Sequence, residues 1–103
     1  LKAETVLSGN PLKVFVKIMV GTTTTNEDVE TLMKALGTHP EFEEASFNTS
    51  AGKGSHTKVK LWRSGTPKDS RPKPVHLPHH EVLKAYSFDQ LQELLSANGL
   101  SLE

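Results

Sequence analysis

The sequence predicts an α+β fold, a two-layer sandwich in which two amphipathic helices cover one side of a small sheet. Three observations carry that expectation. Val29, Leu32, Met33 and Leu36 recur at helical spacing, as do Phe88, Leu91, Leu94 and Leu95. Between them, Thr57 to Arg63 alternates with a period of two, placing Thr57, Val59 and Leu61 on one face and Lys58, Lys60 and Trp62 on the other. At 103 residues the chain is long enough to bury one core without external staples, and it has no cysteine for disulfides or thiolate metal sites. Elements that are each apolar on one side need each other's faces, and layering them is the economical solution.

Charge narrows the function classes. Lys and Arg number 12, as do Asp and Glu, which argues against a surface that coats nucleic acid broadly. The charges are nevertheless segregated. Lys53 to Lys73 contains seven Lys or Arg and one acid, Asp69, whereas Glu27 to Glu44 is mainly acidic. A local basic patch is compatible with that distribution. The longest apolar run, Val14 to Val20, is interrupted by Lys17 and too short to span a bilayer, and nothing resembles the layout of a secretion signal. A cytoplasmic protein without a membrane partner is expected.

In chain order, Leu1 to Pro11 has no sustained period and is expected to be a weakly docked end. Leu12 to Val20 reads as a strand, with Leu12, Val14, Val16, Ile18 and Val20 on one face. Residues 1–21 therefore form an expected N-terminal extension with an extra strand, and residues 22–103 the domain proper. Thr25 is a good helix N-cap, with Asp28 completing an approximate capping box, and Gly37 is the expected terminator. Phe42 can close the turn after this helix, and Glu44 to Thr49 reads as a short strand with Ala45 and Phe47 inward. A glycine-rich hairpin leads into the second strand, Thr57 to Arg63. Ser64 to Arg71 is polar and reads as a surface loop. Pro72 and Pro74 confine a third strand near Lys73 to Leu77 to an edge or to irregular pairing, because proline lacks the ladder donor. Pro78-His79-His80 turns the chain again. Ser87 is the expected N-cap of the last helix, with Gln90 in the capping-box position, Tyr86 and Leu91 as a hydrophobic staple, and Asn98-Gly99-Leu100 as the stop.

The stretch richest in chemistry is Gly52-Lys53-Gly54-Ser55-His56 and the strand after it. Two glycines in three positions favour positive φ and allow close approach of a ligand to the backbone. If the strand is regular from His56, then His56, Lys58, Lys60 and Trp62 share its polar side. An imidazole, two ammonium groups and an indole in a row suit a phosphate backbone and a stacked base. A solvated strand face with a chance histidine gives the same pattern, and Trp62 reads equally as cover for the core.

The order of these features resembles the HicA toxins of bacterial toxin-antitoxin systems. The resemblance covers Asn26 to Ser101, and its most specific parts are Gly54-Ser55-His56 and the final helix ending Ala97-Asn98-Gly99-Leu100-Ser101; Pro74-Val75-His76 and Leu83-Lys84 lie between them. The resemblance implies a double-stranded-RNA-binding-domain-like α-β-β-β-α fold, metal-independent endoribonuclease activity on messenger RNA with no cofactor, and neutralisation by a HicB-like antitoxin protein. The family's catalytic histidine falls on His56.

Such chemistry asks little of the protein. RNA carries its own nucleophile, the ribose 2′-hydroxyl, so cleavage needs a proton acceptor, a proton donor for the leaving 5′-oxygen and positive charge at the phosphate. A histidine titrating near neutral pH can serve as base or acid. The expected site is His56 as catalytic residue, with Lys53, Gly54, Ser55, Lys58, Lys60, Trp62 and His76 contacting RNA; His76 is also a candidate second catalytic group. His76, His79 and His80, with His39, offer enough nitrogens for zinc or nickel, but the stretch is extended and proline-flanked, and no metal site is expected. Two other functions stay open: a dsRNA-binding-like module that holds RNA without cutting it, and a protein-interaction domain whose Leu12 to Val20 strand adds to a partner's sheet, or to a second copy in a homo-oligomer.

Overall fold

The computed structural model describes residues 1–49, 56–78 and 82–102. It is an α+β domain with one three-stranded antiparallel sheet and four helices: α1 (Ala3–Val6), α2 (Gly9–Val20), α3 (Asn26–Gly37), β1 (Phe42–Thr49), β2 (His56–Arg63), β3 (Val75–Pro78) and α4 (Ala85–Ala97). The strands lie in the order β1-β2-β3, so β3 is an edge, the first of the two placements its prolines allow. A single 3₁₀ turn, Lys68–Ser70, punctuates the connection from β2 to β3. No helix among the described residues is long and apolar enough to cross a membrane.

The period-two reading of β2 holds. Thr57, Val59 and Leu61 are buried against the helices, while Lys58 is exposed. Ala45 pairs with Leu61 and Phe47 with Val59, so β1 presents the same inner face, and β3 adds Val75 and Leu77. Helix α3 packs on β1 and α4 on β3. The capping box of α3 is present: Thr25 Oγ1 accepts from the Asp28 amide at 3.1 Å, and the Asp28 carboxylate accepts from the Thr25 amide at 3.1 Å. Its stripe of Val29, Leu32, Met33 and Leu36 is buried. Gly37 does not end the helix by a left-handed turn. It is the last helical residue and lies against Ala45 of β1, where a Cβ would make only ordinary contact, 3.5 Å from the Ala45 carbonyl oxygen.

The expected strand Leu12–Val20 is a helix. Val14, Phe15 and Ile18 are buried, with Leu12 and Met19 half-buried, which is a helical stripe; Val16 and Val20, assigned to the same strand face as Val14, are exposed. An apolar run this dense satisfies both periods, and packing against α3 and α4 selects the helical one over the β preference of its valines. Gly21 closes α2 at φ 79°, with the Thr22 amide reaching back to the Lys17 carbonyl at 2.9 Å. Gln92 Nε2 donates to the Ile18 carbonyl at 2.8 Å, tying α4 to the end of α2.

The chain start is also docked, not loose. The Ala3 amide donates to the Ser101 carbonyl at 2.8 Å and the Ser101 amide to the Leu1 carbonyl at 2.9 Å, while Ala3 and Leu7 join the core. Residues 1–21 thus share one core with the rest.

Helix α4 begins earlier than its expected cap. Lys84 is the N-cap and supplies no side-chain cap bond, whereas Ser87 lies inside the helix and is fully buried. Ser87, Leu91, Leu94 and Leu95 form the inner stripe, and Tyr86 is exposed, so the predicted staple does not form. The bridge between Thr25 and Val82 and the Leu83 amide bond to the Thr24 carbonyl at 2.9 Å hold the chain where the helix must start. Its other end agrees with expectation: Gly99 has φ 77°, and the Leu100 amide reaches the Leu95 carbonyl at 3.2 Å with Leu100 buried.

Candidate nucleic-acid interface

Register assembles the outer face of the sheet. Lys58 in β2 lies between Asn48 of β1 and His76 of β3, and Asn48, Lys58 and His76 are all exposed. Directly opposed residues of adjacent strands share a face, with side chains roughly 5 Å apart at Cβ. The next row pairs Ser46 with half-buried Lys60, and the one after it pairs Glu44 with Trp62. Lys58, Lys60 and His76 have no ion-pair partner among the described residues, and Lys58 and His76 are exposed. Such a row can meet a phosphate with cations and a ribose with Asn48.

His56 opens β2 with its backbone opposite Pro78, one diagonal step from His76, and its side chain lies outside the described residues. Gly52, Lys53, Gly54 and Ser55 lie outside them as well. The structure therefore brings together Lys58, Lys60 and His76 of the predicted site, with His56 placed only by the strand that carries it.

Trp62 is different. The Arg71 guanidinium sits over its ring at 4.5 Å from the centroid, inside the range of a cation–π contact, and Arg71 also reaches Glu43 at 3.6 Å. One ring face that could receive a base is filled by the protein's own side chain. Of the two roles open to Trp62, cover for the sheet is the one its surroundings fill. The Trp62 Nε1, Arg71 Nε and Ser46 Oγ atoms are buried here without a hydrogen-bond partner among the described residues. Sequence reading missed Arg71, because the return of the β2–β3 connection over the outer face is a tertiary event with no local signal.

Of the other histidines, His39 serves its turn. Its Nδ1 accepts from the Glu41 amide at 3.1 Å, and its ring meets Phe42 edge-on with centroids 6.5 Å apart. His79 and His80 lie outside the described residues, and among the described ones no group of three His, Asp or Glu is placed to hold a metal ion. No family model matches the chain, and no curated protein or solved structure matches it.

Proposed function

We propose that the chain is the toxin component of a toxin-antitoxin system, an endoribonuclease that binds messenger RNA on the outer sheet face. The observation that carries the reading is the exposed row Asn48-Lys58-His76 on a sheet whose reverse is sealed by helices. The order α3-β1-β2-β3-α4 supports it, being the order of the double-stranded-RNA-binding-domain-like fold that the HicA resemblance implies. The interaction-domain reading loses its basis, as does a homo-oligomer built on it, since the strand it requires is helix α2.

In this reading Lys53, Lys58 and Lys60 hold the scissile phosphate, and the backbone at Gly52 and Gly54 lets the RNA approach closely. His56 takes the proton of the ribose 2′-hydroxyl as its oxygen attacks phosphorus. The bond to the 5′-oxygen breaks, and that oxygen receives a proton. His76, exposed and diagonal to the His56 position, is the available donor. A HicB-like antitoxin is the expected partner, and a small reading frame next to the coding sequence is its signature.

His56→Ala should lower the cleavage rate of single-stranded RNA by ~10²- to 10⁴-fold while leaving RNA binding close to the parent. A variant that cuts at the parent rate would remove the mechanism. A parent protein that binds RNA without cutting it would establish the non-catalytic module instead.

A further inference from the structure

Beside the outer face, a cavity of about 440 Å³ opens between α4 and the segment from Pro72 to His76. Its volume falls within the roughly 300–1,000 Å³ of small-molecule sites. Pro72, Pro74 and Val75 form one apolar wall and Leu94 and Ala97 the other. Gln90 and Glu93, one turn apart on α4, place an amide and a carboxylate in it, and Lys73 adds an ammonium group and His76 an imidazole at the β3 side. Glu93 and Lys73 form no ion pair among the described residues, so both heads are available to a ligand. His76 belongs to this cavity and to the Asn48-Lys58-His76 row alike.

Apolar side chains on two sides, with a carboxylate and an amide between them and solvent, suit a heterocycle read along its polar edge, which is how unstacked bases are recognised. The choice among bases is set by the carboxylate. It accepts two parallel hydrogen bonds, and guanine alone among the four RNA bases presents two adjacent donors, N1–H and the N2 amino group, on its pairing edge. The Gln90 amide can donate to guanine O6, and Lys73 and His76 can meet the attached phosphate. We propose that this cavity is a guanine-binding subsite; it rests on the RNA reading above and gives that site a base preference.

The test uses guanosine, adenosine, cytidine and uridine 5′-monophosphates titrated into ¹⁵N-labelled protein, tracking the amides of Val75, His76, Gln90 and Leu94. The guanosine nucleotide should shift these amides and bind about tenfold tighter than the other three, and the surface variant Glu93→Gln should erase the difference. Equal shifts from all four nucleotides, or a guanosine preference that survives Glu93→Gln, would overturn the subsite. A guanine-free single strand that shifts the Lys58 amide, while the guanosine nucleotide leaves the cavity unmoved, overturns the subsite and leaves the RNA reading standing. Selective guanosine binding in a protein that retains no RNA strand would uphold the subsite and remove the RNA reading.

Discussion

At one end of the sheet's outer face Lys58 lies exposed between Asn48 and His76; at the other, Arg71 covers Trp62 and reaches back to Glu43. Both ends belong to β2 and both carry a cation. The difference is made by the connection from β2 to β3. After Arg63 the chain folds back over the Trp62 end and brings Arg71 with it, whereas Asn48, Lys58 and His76 stay exposed at the other. A basic residue count therefore overstates the exposed cationic surface: Arg71 is held over Trp62, and Lys58 is exposed with no ion-pair partner among the described residues.

The comparison breaks most readily at Trp62. As cover for the sheet, Trp62→Ala should destabilise the protein by about 2–3 kcal/mol in urea unfolding, at or below the low end for fully buried aromatics because the ring is partly exposed. RNA affinity per folded molecule should hardly change. The opposite pattern, an affinity loss worth ~1–3 kcal/mol with stability preserved, would make the indole a base-stacking platform and extend the interface across the whole face.

One end was legible in the sequence and the other was not, and the reason is range. The inner and outer faces of β2 could be read from Thr57 to Trp62, because alternation is a property of adjacent residues. The capping box at Thr25 and Asp28 was readable for the same reason: both bonds close within three residues. Ser87 and Gln90 carry an equally good local signature and yet form no cap. The bridge at Val82 and the anchoring of Leu83 start α4 upstream and turn Ser87 into the core. Between Leu12 and Val20 the local pattern admitted two periods, and only the surfaces of α3 and α4 decide between them. Arg71 over Trp62 and the cavity beside α4 are tertiary products, joining residues whose proximity no spacing announces. The described part of the candidate site was legible as a strand face, whereas its limits were not.

The open end is sharpened by its charge. Lys58→Ala should weaken binding of single-stranded RNA by roughly tenfold and flatten the dependence of log affinity on log salt by about 0.7, the contribution of one phosphate contact. Lys34→Ala, which removes a cation paired with Glu30 on α3, should change neither quantity. A uniform response to the two substitutions would mean that RNA senses net charge rather than this row.

The smallest effect is expected at Glu43, and it bears on whether the closed end stays closed. Glu43 and Arg71 are separated by 3.6 Å with both side chains partly exposed, a pairing of the kind that contributes no more than about 1 kcal/mol. Glu43→Gln should therefore lower stability only slightly, and Arg71 should stay on Trp62, because the contact over the ring does not depend on the carboxylate. Unchanged RNA affinity and an unchanged environment of the indole by fluorescence are the expected readings. A rise in RNA affinity with a shift in indole emission would show that Glu43 restrains a cation which phosphate can recruit. The closed end would then be a second part of the binding surface, held in reserve by one carboxylate.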